Sequence, residues 1–386
     1  MITQSSAHFD YAIIGSGVAG FQLALAFAED SFFKEKRIAI FEKSIKNKND
    51  KSFSFWEKGN GKWDGIVCKK WNSTHFFNTD EKQLKIDLNP YTYKTINAID
   101  FYNFSLEKLK LNPQFIFLTE EVNSVIENAE TVTIKTEFNY YTCNHAFDSR
   151  ISKQFIKEKN NYPYVDQSFY GWEIKTETPA FDPDVFTMMD YRFRWKNSTS
   201  FMYILPKNKT EALVEYTFFA PFTIYEEEFK RQLQNYILEF LPETKFSITR
   251  TETGVIPMSA YPFEKEHSNR ITKIGTAGGW VKASTGYSFK RSEKFTKAVV
   301  EQLKNNQKPI GYQPKNRFKF YDKLLLKVLE NQNKKVPNIF YKMYKNTEPD
   351  IFYRFLDEET SLFEEIRLIS KLPYLPYLKE LFGFNN

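Results

Sequence analysis

Gly15, Gly17 and Gly20 fall within the run Asp10-Tyr-Ala-Ile-Ile-Gly-Ser-Gly-Val-Ala-Gly20, and Glu42 closes Ile38-Ala-Ile-Phe-Glu42 one helix-length further on. Glycines at these intervals, set between an apolar strand and a helix, can hold a pyrophosphate. Gly15 permits a tight turn, Gly17 lets the backbone approach the phosphates, and Gly20 lets helix and strand pack closely. The start of the helix then faces the phosphates with its N–H groups and the positive end of its dipole. Glu42, at the end of the second strand, is placed to accept hydrogen bonds from an adenosine ribose, which points to FAD or NAD rather than NADP. The plainer alternative is a glycine-rich turn in an α/β protein that carries no ligand.

These residues need elements to position them. Residues 8–42 predict a strand, a helix and a strand, and a polar loop covers 43–51. Lys51-Ser-Phe-Ser-Phe-Trp-Glu57 opens a strand-rich stretch reaching about residue 90, with alternation as in Lys85-Ile-Asp-Leu88. Residues 100–109 carry apolar side chains at three- and four-residue steps and predict an amphipathic helix. Strands follow at 114–118, 122–126, 131–135 and 140–148, and Ala146-Phe-Asp-Ser-Arg150 is expected to return the chain to the dinucleotide. Residues 170–194 and 200–219 predict long strands of an antiparallel sheet that walls a substrate pocket. A helix at 225–240 and a strand at 250–257 lead to Ile271-Thr-Lys-Ile-Gly275, which enters a second glycine turn, Gly275-Thr-Ala-Gly-Gly279. A long helix covers 288–305, with 282–287 expected to begin it, and the chain beyond residue 321 reads as helical. The two glycine turns are far apart in the chain, so the dinucleotide fold is discontinuous and the sheet is inserted into it.

At 386 residues the chain exceeds the size at which one core usually stops growing, which favours two joined domains. No stretch approaches the ~20 consecutive apolar residues of a transmembrane helix. The first strand begins so early that no signal peptide is expected. Cys68 and Cys143 show no metal or redox spacing, which fits a reducing cytoplasm without structural disulfides. His8, His75, His145 and His267 are scattered, so neither a zinc nor an iron site is expected. The net charge of +6 is spread along the chain without a basic, aromatic-interleaved motif, so no nucleic-acid partner is expected. Phe, Tyr and Trp make up 18% of residues, a content that suits a Phe-rich core and equally a large apolar cavity.

Nine segments together resemble one family. They are Tyr11-Ala-Ile-Ile-Gly-Ser-Gly-Val-Ala-Gly20, Lys51-Ser-Phe-Ser-Phe-Trp-Glu57, Ile99-Asp-Phe-Tyr-Asn103, Phe147-Asp-Ser-Arg150 and Met189-Asp-Tyr-Arg192. Further on come Tyr203-Ile-Leu-Pro206, Ala212-Leu-Val-Glu-Tyr-Thr217, Gly254-Val-Ile-Pro-Met258 and Ile274-Gly-Thr-Ala-Gly-Gly-Trp-Val-Lys-Ala-Ser-Thr-Gly-Tyr287. In order and wording the chain resembles the lycopene cyclases, in particular the bacterial lycopene β-cyclases; the first segment alone would fit any flavoprotein of the glutathione-reductase type. The resemblance implies an α/β fold with a Rossmann-like FAD-binding domain, an inserted antiparallel β-sheet substrate domain and a helical C-terminal region. On that reading residues 1–50, 95–150 and 268–306 form the FAD domain, 51–94 and 151–267 the substrate domain, and 307–386 the helical region.

It implies, too, that reduced FAD is the cofactor, that NAD(P)H serves only to keep the flavin reduced, and that the linear ends of lycopene are cyclised to β-ionone rings. The family's acidic motif falls on Val214-Glu-Tyr-Thr217, so Glu215 inherits the acid role. Plant relatives carry a second Glu next to it; here that position is Tyr216, and an argument from adjacent carboxylates does not transfer. Lys51 stands where Arg is more usual and Ala283 where Pro is common. Redox flavoproteins of this fold usually place an Asp after the second-turn glycine, whereas this chain has Gly275-Thr276, which counts against an ordinary hydroxylase. Thr276 can still bond the ribityl chain or a phosphate, and Gly278 and Gly279 are expected to leave room for the backbone to approach the isoalloxazine.

Cyclisation needs a positioned acid, stabilisation of a transient cation and a base. A carboxyl on the inward face of an apolar sheet can hold a proton at neutral pH. Alternation puts Leu213, Glu215 and Thr217 on one face of a strand and Val214, Tyr216 and Phe218 on the other, without saying which face is inward. Phe55, Trp56, Trp172, Tyr203 and Tyr216 are candidates to face the cation, with core packing the plainer role for each. A C40 hydrocarbon does not dissolve in cytosol, so the enzyme is expected to dock peripherally on the cytoplasmic membrane. Lys323-Leu-Leu-Leu-Lys-Val-Leu-Glu330 and Leu372-Pro-Tyr-Leu-Pro-Tyr-Leu378 could form that surface, or could equally pack on the domain. Two other readings stand beside the cyclase: an FAD-dependent monooxygenase or reductase of an apolar polyene or isoprenoid, and a carotenoid carrier with a vestigial nucleotide fold.

Overall fold

The computed structural model describes residues 7–242 and 245–383, so the outermost residues of the expected ranges 1–50 and 307–386, and residues 243 and 244, lie outside the description. β1 (Ala7–Ile14), α1 (Val18–Glu29) and β2 (Ile38–Phe41) form the opening βαβ unit. Every residue of β2 is buried, as in a strand covered by elements on both faces. The strand-rich stretch consists of β3 (Ser52–Lys58), β4 (Lys69–Trp71), β5 (Ser73–Phe77), β6 (Gln83–Asp87) and β7 (Tyr91–Asn97). α2 (Ala98–Lys110) buries Ala98, Phe101, Tyr102, Ser105 and Leu109, the stripe its spacing predicts. β8 (Phe115–Leu118), β9 (Val122–Glu127), β10 (Val132–Thr136) and β11 (Tyr140–Asp148) complete that layer.

α3 (Lys153–Glu158) then leads to β12 (Tyr164–Thr176), β13 (Val185–Asp190), β14 (Ser200–Pro206) and β15 (Glu211–Ala220). α4 (Glu226–Phe240) and β16 (Phe246–Ser259) follow, and β17 (Ile271–Lys273) and α5 (Phe289–Lys304) return to the first layer. The chain closes with α6 (Asn316–Asn331), α7 (Val336–Asn346), α8 (Pro349–Leu356), α9 (Leu362–Ile369) and α10 (Tyr374–Phe382). Among the described residues no helix is long and apolar enough to cross a membrane.

The described residues form three sheets. The first has the order β8-β2-β1-β11-β10-β9, with β17 also beside β11. Its β8, β2, β1, β11 and β17 are mutually parallel, and β9 and β10 add an antiparallel meander. The second has the order β16-β12-β15-β14-β13-β5-β6, and a small third sheet runs β3-β7-β4. The large sheet is antiparallel as expected across β16-β12-β15-β14-β13, and β13 meets β5 in parallel. A hairpin forces antiparallel pairing, but β5 reaches β13 only after the chain has passed through the first layer, so no turn constrains their sense. One correction concerns residues 282–287, which close a turn instead of beginning α5. Gly286 adopts φ +75° and its N–H donates to the Lys282 carbonyl at 2.9 Å, a backbone state outside the helical region.

Strand alternation gives the large sheet two different apolar faces. One carries Trp172, Val214, Tyr216 and Phe218 and packs under Phe229, Leu233 and Tyr236 of α4. Burying each such Phe is worth roughly 1.5–3 kcal/mol. The opposite face carries Phe201 and Phe219, which meet Leu326 and Leu329 of α6 and Ile339 and Phe340 of α7. The C-terminal helices therefore roof the sheet, and they are anchored by charge. Lys282 Nζ bonds both carboxylate oxygens of Asp322 on α6 at 2.7 Å and Glu358 Oε1 at 3.0 Å. Arg291 on α5 reaches the same Glu358 oxygen at 2.9 Å.

Candidate active site

The glycine turn after β1 gives each glycine a different duty. Gly15 has φ +94°, which favours glycine, and a side chain there would run into Ser149, whose hydroxyl donates to the Ile14 carbonyl at 2.7 Å. A side chain at Gly20 would run into the Gly15 carbonyl, so α1 and the turn touch backbone to backbone. At Gly17, by contrast, no described residue beyond its own stretch of chain comes within 4 Å of a side chain's first carbon, and this residue opens α1 with no side-chain cap. The result is an uncovered helix start facing open space. Gly275, at φ +61°, comes within 3.2 Å of Ala19 by the same measure, so the second turn abuts the first turn of α1.

Glu42 lies just beyond β2, behind this turn. The Ser16 N–H and the Ser16 hydroxyl both donate to its Oε2 at 2.9 Å, and Lys46 stands 3.5 Å away. Burial acts to raise this carboxyl, but the Ser16 N–H and Lys46 outweigh it and hold the group below its ordinary value. A side chain at Gly278 would meet the Lys273 carbonyl, and Gly279, at φ +71°, sits against Phe263, so the packing of the second turn itself favours glycine at both positions.

A cavity of about 900 Å³ joins this cradle to the large sheet. Gly17, Gly20, Ser149, Gly275 and Thr276 line it together with Tyr203, Leu213, Glu215, Thr217 and Glu252, while Gly15, Glu42, Gly278 and Gly279 stand outside its wall. Gln167 Oε1 and Thr285 Oγ1, from residues of the same lining, are buried with no hydrogen-bond partner among the described residues. An uncapped helix start, a Gly17 with open space before it and two unpartnered polar atoms fit a flavin dinucleotide with its phosphates at α1.

The sheet resolves the question that alternation left open: Leu213, Glu215 and Thr217 face the cavity and Val214, Tyr216 and Phe218 face α4. Glu215 pairs in register with Tyr203 on β14 and Gly171 on β12, and Gly171 pairs on its other side with Glu252 on β16. Two buried carboxyl groups thus flank a residue with no side chain. Burial first, and then the Glu252 carboxylate, push the Glu215 carboxyl up to about 8, against a lowering hydrogen bond from Thr217. Thr217 Oγ1 donates to Glu215 Oε1 at 2.7 Å. Glu252 Oε2 accepts from Arg250 Nη1 at 2.7 Å and from Ser52 Oγ at 2.8 Å. Arg250 continues to Glu173 at 2.9 Å, and Glu173 to Lys207 at 2.6 Å. Such a site can keep one carboxyl protonated in apolar surroundings at neutral pH.

Of the five aromatic candidates, Tyr203 alone lines the cavity. Trp172 and Tyr216 belong to the core under α4, Phe55 stacks on Phe289 at 5.0 Å, and Trp56 packs edge-on against Tyr287. Tyr203 joins two tyrosines that sequence reasoning missed, its hydroxyl lying 2.7 Å from that of Tyr93, which lies 2.9 Å from that of Tyr287. Glu252 was missed as well. The signal available for it was Arg250-Thr-Glu252, an acid two residues from a base and hence on the same face of a strand.

A family model described as "Lycopene cyclase protein" matches residues 10–381. Among solved structures, a geranylgeranyl bacteriochlorophyll reductase-like protein from Thermoplasma acidophilum is similar over 98% of this chain and 100% of its own, at 12% identity and a TM-score of 0.60. A p-nitrophenol 4-monooxygenase from Pseudomonas putida DLL-E4 is similar over 97% and 99%, at 11% identity and a TM-score of 0.58. A halogenase variant in complex with FAD covers 97% of this chain with 84% of its own, at 12% identity and a TM-score of 0.57. At these identities the likeness is one of fold, a Rossmann-like flavoprotein architecture.

Proposed function

The chain belongs to the lycopene cyclase family, and from that premise we propose that it cyclises the linear ends of lycopene, or of a related linear carotenoid, to β-ionone rings without net redox change. The observation that carries this reading is Glu215, a buried carboxyl raised to about 8 in the wall of a cavity shared with the glycine cradle. At neutral pH it offers an O–H where substrate and no bulk water would lie.

Glu215 donates its proton to the terminal C=C bond, leaving a tertiary cation that the neighbouring double bond attacks; a ring proton then returns to a base. Leu213, Phe169 and Phe219 of the lining keep water, which would capture the cation, from the reacting end. The faces of Tyr203 and Tyr93, both lining residues, can each contribute ~0.5–2 kcal/mol toward a desolvated cation. FAD would be held by Gly17 and the start of α1, by Gly275 and Thr276, and through its ribose near Glu42. In its reduced form it would supply an electron-rich ring beside the positive charge, with NAD(P)H serving only to keep it reduced.

The substrate's insolubility calls for a membrane-facing mouth. The cavity lining includes Ile369 of α9 and Tyr374, Leu378 and Leu381 of α10. On the same two helices Leu362, Phe363, Ile366 and Leu375 are exposed, which supports peripheral docking of this end on the cytoplasmic membrane.

Co-expression in a lycopene-accumulating host, followed by chromatography of the pigments, tests the proposal. Loss of lycopene with a β-ring product is expected, and Glu215→Gln should bind flavin yet leave lycopene linear. Consumption of NAD(P)H in step with product would favour the monooxygenase or reductase reading instead. Lycopene bound but unchanged beside reduced flavin would favour a carrier.

A further inference from the structure

We propose that Glu252 is a positioning residue for Glu215: the two carboxyl groups, facing one another across Gly171, share one proton, and Glu252 keeps that proton on Glu215. The inference rests on the acid role proposed above and extends it to the residue that makes the acid.

Three strands build the pair. β12 lies between β15 and β16, and its Gly171 is in register with Glu215 on one side and with Glu252 on the other. A side chain at 171 would place its first carbon 3.1 Å from Leu213 Cδ1 and 3.3 Å from Glu215 Cβ, displacing the wall on which Glu215 stands. With no side chain at 171, Glu215 and Glu252 stand on either side of the same residue, and the Glu252 charge acts directly on Glu215. Both residues are buried and both line the cavity.

The donors around the pair are unequal, and they decide where a shared proton resides. Glu252 Oε2 accepts from the Arg250 guanidinium at 2.7 Å and from the Ser52 hydroxyl at 2.8 Å. Glu215 accepts from the Thr217 hydroxyl. Tyr203, paired in register on β14, and Tyr287 also face it; both are phenols raised by burial, and neither brings a positive charge. A guanidinium stabilises the ionised form far more than a hydroxyl does. Glu252 is therefore the carboxylate, Glu215 the carboxylic acid, and the negative charge of the one opposes ionisation of the other.

Two measurements on the flavin-loaded protein test this. The first is the carboxylic C=O band in infrared spectra titrated without substrate, identified as Glu215 by its loss in Glu215→Gln. The second is the alkaline limb of kcat/KM. In Glu252→Gln the band's midpoint should fall by about one to two pH units, because the opposing charge is gone, with flavin content unchanged. The kinetic limb should fall by the same amount. If Glu252→Gln does not accumulate as folded protein, Glu252→Asp replaces it; withdrawing the charge by one methylene should lower the midpoint by a smaller but measurable step. A midpoint in the folded variant that coincides with the wild type overturns the proposal. Because the band is read without turnover, the pair can stand while the cyclase reading falls, as when Glu215→Gln cyclises normally but the band still shifts.

Discussion

Thr217 and Glu215 lie two residues apart on the cavity face of β15, and the Thr217 hydroxyl donates to Glu215 Oε1 at 2.7 Å. This bond favours the ionised carboxylate and so works against the burial and the Glu252 charge that raise it. Removing it should therefore move the acid the other way from the Glu252 substitution. Thr217→Val is expected to shift the alkaline limb of kcat/KM upward by about half a pH unit to one unit, the worth of one such bond. A limb that stays put or moves down would show that Thr217 does not act on the ionised form.

The raised carboxyl also sets a pH dependence of stability. Unfolded, Glu215 titrates near its ordinary 4.5; folded, at about 8. Between those values the unfolded chain has released a proton that the folded one keeps, so wild-type stability falls as pH rises and levels off above 8. Glu215→Gln carries no such penalty. Its Tm should exceed that of the wild type by a margin that grows from pH 5 to pH 8 and then stays constant, read by thermal denaturation. A margin independent of pH would contradict the assignment.

Gly17 and Gly20 should fail differently when enlarged. No described residue beyond its own stretch of chain comes within 4 Å of a side chain's first carbon at Gly17, so Gly17→Val should fold with near-native Tm and lose bound flavin. At Gly20 the obstacle is the Gly15 carbonyl, so Gly20→Val should cost ~1–3 kcal/mol of stability or more before any ligand is considered. Flavin absorbance and denaturant midpoints on the two proteins separate the cases.

How far the chain can be read without its fold depends on how local each constraint is. The turn at Gly15 and the packing at Gly20 are dictated within six residues, and they are legible as spacing. The inward face of β15 is not, because Leu213, Glu215 and Thr217 alternate with Val214, Tyr216 and Phe218, either of which sets can be buried, and the choice is made by α4 covering Tyr216 and Phe218. The same covering takes Trp172 and Tyr216 out of the cavity wall. Glu252 is less legible still. Its meeting with Glu215 depends on the register of two strands against Gly171, a relation among residues 171, 215 and 252 that no local pattern encodes.

Lys282 ties the loop after the second glycine turn to the roof of the cavity, bonding Asp322 on α6 and Glu358 beyond α8, all three buried. Lys282→Met should leave two buried carboxylates with Arg291 as their remaining cation near Glu358, at a cost of about 3–5 kcal/mol. Urea denaturation should show the loss, and limited proteolysis should cut first within α6 to α10. Lys282→Met combined with Asp322→Leu should recover part of it, since fewer unpaired charges remain buried. Equal destabilisation in the single and double variants would mean that packing, not charge, anchors the roof.

The exposed side chains of α9 and α10 yield a prediction that separates docking from chemistry. Phe363 is 78% and Leu375 63% exposed, so charge at either position meets water in the free protein and should leave Tm unchanged. Against a bilayer the same charge would have to remain at the headgroups. Phe363→Glu with Leu375→Glu should therefore reduce flotation with vesicles of mixed neutral and anionic lipid severalfold. Turnover should fall for lycopene presented in vesicles and be preserved for lycopene dispersed in detergent micelles. Unaltered flotation would place the membrane-facing surface elsewhere on the molecule, whereas loss of turnover in both media would assign these residues to the cavity itself.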